Sequence, residues 1–286
     1  MRTSIIELIF AIAKEKNAFD ILESYLKNIE RNVLMQNIIE CGIIPEIFEH
    51  DSSEEKLWAK YSDLILSHAL NQLNIKSKVL GARGNAADVY GETENYSLVA
   101  DAKTFRLSRT AKNQKDFKVG ALDSWREGSN YALLVSPLVQ YSRMKSQIYR
   151  QAIEKNVTII SYTHLYFLLQ NHHDEDLKQI WETGNYLKKD ISSENLSSSI
   201  FYWSAIDNII CNLLSKTKEE LNVVKSLELL KTREIGNEGI KFWLNKVNEY
   251  KKLSKVEAIR LLIKSERIEN KILVIRKVIN NCYLNE

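Results

Sequence analysis

The sequence predicts a helix-rich α/β fold in which one small β-sheet is embedded in helices. Apolar residues recur at helical spacing near both ends of the chain, whereas short extended runs lie between them. Gly and Pro, the residues that most often interrupt regular structure, number only 9 and 2 among the 286 residues. This composition excludes collagen-like and Pro/Gly-rich disordered proteins, and three cysteines are too few for a disulfide-stapled domain.

The first 75 residues are predicted to be helical. Apolar side chains recur every three or four positions between residues 5 and 12 and again between residues 19 and 29. Ser52 and Glu55 have the spacing of a capping box, in which each side chain bonds to the backbone of the other residue. A further helix is therefore expected to begin there.

Five short extended runs between residues 76 and 165 predict the sheet. These runs cover residues 77–80, 87–90, 96–105, 131–136 and 157–162. The Gly- and Asn-containing segment 91–95 predicts the turn of a hairpin between the second and third runs. With helices predicted around residues 116–127 and 145–155, the order is strand, strand, strand, helix, strand, helix, strand.

The chain returns to helix after residue 163. A polar loop is expected near residues 172–176 and a Ser-rich connection at residues 191–199. Ser254 and Glu257 form a second capping box that opens a helix in the C-terminal part.

Aromatic and histidine residues outside the sheet are expected to be structural. Trp203 and Trp243 lie at helical spacing, which predicts that they belong to the core. His172 and His173 are expected on the surface of the polar loop. The other histidines stand alone in the sequence and predict no metal site; they are His50, His68 and His164.

The cysteines favour a reducing, cytoplasmic setting. Cys41, Cys211 and Cys282 are odd in number and far apart, without the spacing of a disulfide framework or of a thiolate zinc site. No run approaches the roughly 18 apolar residues that a membrane-spanning helix needs.

The charge of the chain is concentrated in one segment. The whole chain carries a net charge of +3, whereas residues 101–118 hold six basic and two acidic residues, a net charge of +4. The basic residues are Lys103, Arg106, Arg109, Lys112, Lys115 and Lys118. Hydroxyl and amide side chains alternate with them, and these are the groups that contact phosphates and base edges in DNA. A solubilising surface loop is the alternative interpretation.

Two carboxylates and a lysine are predicted to converge beside this segment. Residues i and i+2 of a strand share a face, so Asp101 and Lys103 point to the same side. Asp88 would join them if it lies on the neighbouring strand of the hairpin. Carboxylates are typical ligands of magnesium, and a neighbouring lysine can orient or deprotonate a water for phosphodiester hydrolysis. The alternative is a solvated face with weak surface ion pairs.

The residues around this constellation closely resemble the HindIII family of type II restriction endonucleases. The run VADAK at residues 99–103 continues as FRLSRTAKNQKDFKV at residues 105–119 and WRE at residues 125–127. Similar runs lie upstream at residues 55–57 and 83–86. The likeness is densest from residue 51 to residue 164.

This resemblance implies a PD-(D/E)xK nuclease core, with a small mixed sheet flanked by many helices. It implies a homodimer that cleaves double-stranded DNA with Mg2+ at a palindromic, AAGCTT-like site and leaves 5′ overhangs. A cognate DNA methyltransferase is expected as the genetic partner. The chain is expected to be a single nuclease domain, with a helical part at residues 1–75, the catalytic sheet at residues 76–165 and a helical part at residues 166–286.

The resemblance also assigns roles to individual residues. Asp88, Asp101 and Lys103 match the catalytic motif, and Asp88, Asp101 and Ala102 are the implied metal ligands. Glu55 is a possible additional acid from a helix, although the capping box already gives it a structural role. One departure is that Ala87 precedes Asp88, where the generic motif has Pro. The predicted DNA-binding residues are Arg106, Arg109, Lys112, Asn113, Lys115, Asp116 and Lys118.

Two other functions remain compatible with the residues themselves. A non-catalytic DNA-binding protein would use the basic segment without cutting, and its binding would depend on salt but not on metal. A related nuclease of DNA repair or recombination would recognise branched DNA rather than a sequence.

Overall fold

The computed structural model describes residues 2–81, 86–109, 114–190 and 195–282. Helices form the N-terminal part, as the apolar periodicity predicts. They are α1 (Arg2–Ile12), α2 (Ala18–Leu26), α3 (Arg31–Cys41) and α4 (Ser53–Gln72).

Only half of the capping box predicted at the start of α4 forms. The Ser52 hydroxyl accepts a hydrogen bond from the Glu55 backbone N–H at 3.1 Å. The Glu55 carboxylate does not return the bond, because it accepts from the Asp51 N–H at 2.6 Å, while the Ser52 N–H donates to the Glu49 carbonyl. The second box, at Ser254 and Glu257, forms completely.

One five-stranded sheet lies at the centre of the fold. Its strands are β1 (Lys76–Val79), β2 (Val89–Glu92), β3 (Ser97–Ala102), β4 (Tyr131–Ser136) and β5 (Val157–Ser161). They are ordered as in the sequence. The pairs β1–β2 and β2–β3 are antiparallel, whereas β3–β4 and β4–β5 are parallel. The prediction of a small mixed sheet flanked by many helices is confirmed.

Strands β2 and β3 differ most from the prediction. Strand β2 includes Gly91 and Glu92, so the turn of the hairpin moves to residues 93–96, where the Thr93 N–H donates to the Tyr96 carbonyl. Strand β3 ends at Ala102 instead of residue 105. The Lys103 N–H still bonds to β4, after which the chain leaves the sheet and Phe105 forms a parallel bridge to Ile43 in the segment after α3.

The helix predicted at residues 116–127 is divided. Lys118 adopts a left-handed backbone with φ of 53°, which separates α5 (Gln114–Phe117) from α6 (Val119–Ser124). Left-handed backbone cannot continue an α-helix of L-residues. In chain order, helix α7 (Gln147–Lys155) follows β4 and precedes β5, close to its predicted position.

After β5, the regular structure in the described part of the chain consists of helices. They are α8 (Tyr162–Asn171), α9 (Lys178–Trp181), α10 (Thr183–Asp190), α11 (Ser199–Leu213), α12 (Lys218–Lys251), α13 (Lys255–Ser265) and α14 (Ile268–Cys282). Each described helix is too short or too polar to cross a lipid bilayer.

Helix α4 packs across the antiparallel half of the sheet, against β1, β2 and β3. The helix also buries apolar side chains, among them Trp58, Tyr61, Leu64 and Ile65. Each such side chain contributes roughly 1.5–3 kcal/mol when it leaves water. The Trp58 indole N–H also donates to the Cys41 carbonyl at 2.8 Å, which joins α4 to α3.

The chain contacts divide the molecule into two compact units, residues 1–237 and 238–286. The second unit contains the end of α12 with α13 and α14. The prediction that Trp243 is a core residue is wrong, since 47% of it is exposed, whereas Trp203 packs against the core of the first unit. Whether the chain folds as the single domain expected from the sequence is not tested by this division and stays a prediction.

His164 is isolated in the sequence but not in the fold. It is fully buried at the start of α8, and its Nδ1 accepts from the Ser161 backbone N–H at 3.1 Å. Its Nε2 lies 2.9 Å from a carboxylate oxygen of Asp207 in α11, and Lys225 of α12 pairs with the same carboxylate. Because Nδ1 accepts, the neutral ring with a proton on Nε2 satisfies both contacts.

We predict that the free energy of unfolding falls as the pH drops below about 6.5, the ordinary pKa of histidine. Burial lowers the pKa of His164 in the folded protein, although Asp207 opposes this shift. The unfolded chain therefore binds a proton that the folded chain excludes, and stability decreases by up to about 1.4 kcal/mol per pH unit. Urea unfolding between pH 7.5 and 5.5 measures this slope.

His164→Gln is the test variant. His173→Gln is its matched control, since His173 lies exposed in the loop after α8. The slope should decrease in His164→Gln and stay unchanged in His173→Gln. An unchanged slope in His164→Gln would assign the proton to another group, such as His68, whose pKa is also lowered by burial.

Candidate active site

Three carboxylates meet where α4 crosses the β2–β3 hairpin. Asp63 lies in α4, Asp88 directly precedes β2, and Asp101 lies in β3. The antiparallel register that pairs Val89 with Ala100 places Asp88 beside Asp101. One oxygen from each carboxylate lies within 4.8 Å of the others. The structure therefore brings together the two acids that the sequence singled out and adds a third.

Asp63 was missed by the sequence analysis. Its side chain is 4% exposed, in a segment of α4 that is buried throughout from Tyr61 to Ser67. An acidic residue within the run from Tyr61 to Leu66 is the signal that could have found it, because isolated buried carboxylates are costly and mark paired or functional groups.

Glu55, the helix acid suggested by the sequence, contacts other residues than the three clustered carboxylates do. Its carboxylate accepts from Arg106 Nε at 3.0 Å, and it lies 3.2 Å from His50. Glu55 precedes Asp63 by eight residues, about 12 Å along an α-helix. The contacts of Glu55 thus tie the start of α4 to the chain after β3.

Two lysines compensate the three carboxylates. Lys103 pairs with Asp101, and its backbone N–H donates to the Val135 carbonyl at 2.7 Å, which continues the ladder between β3 and β4. Lys60 of α4 lies 2.5 Å from Asp88 Oδ1 and 3.2 Å from Asp63 Oδ2. With all five groups charged, the cluster has a net charge of −1.

Burial governs the protonation of the two inner carboxylates. It raises the pKa of Asp63 well above its usual range, with repulsion from Asp88 adding to the effect and Lys60 opposing it. Burial also raises the pKa of Asp101, which Lys103 counteracts. For Lys60, burial lowers the pKa, but attraction to Asp63 and Asp88 outweighs it and the net direction is upward. A cation among these oxygens would relieve the repulsion.

The donor set fits a hard divalent cation. Magnesium prefers oxygen ligands, commonly one or two carboxylates with water and phosphate oxygens. Asp63, Asp88 and Asp101 offer carboxylate oxygens close to one another. Ala102 has a buried apolar side chain, so its backbone carbonyl is the one ligand atom that it can offer.

The predicted DNA-binding residues occupy different surroundings. Lys112 and Asn113 lie outside the described residues. Arg106 is largely buried, and its guanidinium contacts Glu55 and the carbonyls of Pro45 and Glu49. These contacts anchor the chain after β3. The Arg106 guanidinium therefore binds groups of the protein itself.

The remaining members of this set lie around α5. Arg109 pairs with Asp116 and lies over the Phe105 ring, with half of its side chain exposed. Lys115 and Lys118 are exposed. Lys118 is close enough to the carboxylates to lower the pKa of Asp101, a smaller effect than burial. The basic residues thus begin at the acidic cluster and extend onto α5.

The chain is similar in sequence to known proteins. The model of the HindIII restriction endonuclease family matches residues 8–279. The type II restriction enzyme HindIII of Haemophilus influenzae is 37% identical over 278 residues, which cover 95% of this chain and 92% of that enzyme. The solved structure of restriction endonuclease FokI aligns with a TM-score of 0.39 and 10% identity over 60% of this chain and 34% of that chain.

The family resemblance inferred from the residues around Asp101 is confirmed over nearly the whole sequence. The chain belongs to the HindIII restriction endonuclease family of site-specific DNA-cleaving enzymes.

Proposed function

We propose that the protein is a Mg2+-dependent endonuclease that hydrolyses phosphodiester bonds in double-stranded DNA at a short palindrome. An AAGCTT-like site cut to leave 5′ overhangs is the proposed target, on the basis of the family. The observation that carries the proposal is the convergence of three carboxylates and Lys103 at the end of β3 in a chain of this family. The acidic cluster also disfavours a non-catalytic DNA-binding protein, which gains nothing from carboxylates buried next to phosphate.

Asp88, Asp101 and the Ala102 carbonyl are the proposed metal ligands, and Asp63 is a further carboxylate within reach. Magnesium bound to these oxygens supplies stabilisation of the charge that develops on the phosphate and lowers the pKa of a bound water. The protein fixes the geometry through the pairing of β2 with β3 and the packing of α4 on both strands.

Lys103 is the proposed residue that orients or deprotonates the attacking water. Its backbone is held by the hydrogen bond to Val135, and its carbonyl accepts from the Tyr162 hydroxyl at 3.3 Å. Its ammonium pairs with Asp101, and the Lys103 side chain is 16% exposed. The side chain therefore lies at the carboxylates and remains partly exposed, so that a substrate can reach it.

DNA is proposed to lie along the residues that follow Lys103. Arg109, Lys115 and Lys118 supply positive charge to phosphates, and Asp116 can accept from a cytosine amino group if its pair with Arg109 opens. A palindrome presents the same half-site twice, so we propose a homodimer. A cognate methyltransferase and a cytoplasmic location are further parts of the proposal.

We predict discrete fragments when unmethylated plasmid DNA is incubated with the protein and Mg2+, and intact DNA when EDTA replaces the metal. Sequencing of the ends is expected to show one palindrome with 5′ overhangs. Plasmid that stays uncut in both Mg2+ and Mn2+ would refute the proposed endonuclease activity. Preferential cutting of branched DNA would favour a repair nuclease instead.

We predict that Asp101→Asn and Lys103→Ala each lower the cleavage rate by about 100-fold or more, because each removes a group that acts at the phosphate. DNA binding, measured by mobility shift in Ca2+, should be retained. Lys76→Ala on the far strand β1 is the matched control, since its side chain is 86% exposed and pairs only loosely with Glu92 at 3.9 Å. Normal cleavage by either site variant would show that the site is misplaced.

We predict different effects for substitutions of Asp63 and Glu55, which both lie in α4. Asp63→Asn should raise the Mg2+ concentration needed for half-maximal cleavage, because it removes a charged ligand. Glu55→Gln should leave that concentration unchanged and lower the free energy of unfolding by about 1–2 kcal/mol, because it weakens a charged hydrogen bond to Arg106. The reverse pattern would assign the additional acid to Glu55.

A further inference from the structure

Glu46 lies in the connection between α3 and α4, outside the acidic cluster and outside the predicted DNA-binding set. We propose that Glu46 is a positioning residue, which holds the basic segment of residues 101–118 at Ser108. It thereby sets how strictly the enzyme rejects DNA sites that differ from its target by one base pair. This inference rests on the proposed function and extends it from cleavage to sequence discrimination.

Glu46 holds Ser108 through two hydrogen bonds. Its Oε1 accepts from the Ser108 backbone N–H at 3.1 Å, and its Oε2 accepts from the Ser108 hydroxyl at 2.8 Å. Hydrogen bonds to a carboxylate are stronger than those between neutral groups. One bond would let the backbone turn about it, whereas two bonds to the same residue fix both its position and its orientation.

The chain that leads to Glu46 is itself held in place. A Cβ added to Gly42 would lie 2.4 Å from a carbon of the Tyr162 ring, so this glycine packs directly on the start of α8. The Arg2 guanidinium donates to the Ile43 carbonyl at 2.9 Å. Ser108 is therefore tied to a connection that is packed on the core.

Ser108 is a point at which fixing the chain affects the proposed DNA contacts. Arg109 follows it directly, and Lys115 and Asp116 of α5 follow within eight residues. Binding groups must be held within about 0.5 Å of their productive geometry. One well-placed bidentate contact to a base edge distinguishes the right base from a wrong one by roughly tenfold to a hundredfold. Side chains on a loosely held segment could adapt to a wrong base pair, which lowers discrimination.

The charge of Glu46 argues for positioning rather than for affinity. A carboxylate beside a basic segment repels the phosphates that the basic residues attract. Removal of Glu46 should therefore leave DNA affinity equal or higher while discrimination decreases. This combination distinguishes a positioning residue from a residue that binds DNA.

The test compares cleavage of two duplex oligonucleotides in Mg2+. One carries the target identified by sequencing of the fragment ends, and the other differs from it by one base pair. The ratio of kcat/KM for the two duplexes measures discrimination. In Glu46→Ala we expect this ratio to fall by about tenfold, the weight of one base contact. Affinity for the target, measured in Ca2+, should stay equal or rise.

Glu46→Gln and Glu94→Ala are the controls. The glutamine amide has no charge, but its oxygen can accept from the Ser108 N–H and its nitrogen can donate to the hydroxyl, so discrimination should be kept. Glu94 is exposed in the turn between β2 and β3, and Glu94→Ala should match the wild type. Circular dichroism and thermal melting establish that each variant is folded. If Glu46→Ala is not, Ser108→Ala replaces it and should lower the ratio in the same direction.

The proposal is overturned if folded Glu46→Ala keeps the wild-type ratio, even when it cuts both duplexes more slowly, since a purely structural role has that result. It is also overturned if Glu46→Gln loses as much discrimination as Glu46→Ala, which would assign the effect to charge. Specific cleavage by the wild type with an unchanged ratio in Glu46→Ala refutes this inference alone. A wild type that cuts neither duplex refutes the proposed function and this inference together.

Discussion

The packing of α4 against the β2–β3 hairpin is the constraint on which the site depends. Packing of α4 on β1, β2 and β3 holds this helix on the sheet and places Asp63 close to Asp88 and Asp101. Desolvated carboxylates repel one another, so the same packing would be unfavourable without compensating cations. Lys60 and Lys103 supply them, and each reaches the cluster from the same element as the acid beside it. The hydrophobic core thus holds together an electrostatic arrangement that would not form by itself.

A second set of contacts places the basic segment next to this cluster. The Phe105 N–H donates to the Gly42 carbonyl at 3.0 Å, and its own carbonyl accepts from the Ile44 N–H at 3.1 Å. Arg106 adds its ion pair to Glu55, and the Phe105 ring contacts that of Phe117 in α5. The chain is therefore anchored at both sides of residues 107–116. Arg109 and Lys115 are the described basic residues between these anchors.

Local patterns predicted the strands and most helices, because alternation and helical spacing report burial within one element. Asp88 and Asp101 were predicted to converge because a hairpin relates them within 13 residues. Asp63 was not, since its proximity to β3 depends on how α4 packs on the sheet. The charge pattern likewise could not show that Arg106 pairs with an acid 51 residues earlier. Nonlocal packing separates the residues that the sequence predicted from those that it missed.

Two networks of ion pairs among the described residues differ in their charge balance. At the parallel half of the sheet, Asp207 is matched by Lys225 and by the neutral ring of His164, so that this network has no net charge. Such a network joins α8, α11 and α12 and needs no ligand. At the antiparallel half, three carboxylates meet only two ammonium groups. A cation at these carboxylates would relieve their mutual repulsion, which is the physical basis for the metal site proposed at this end of the sheet.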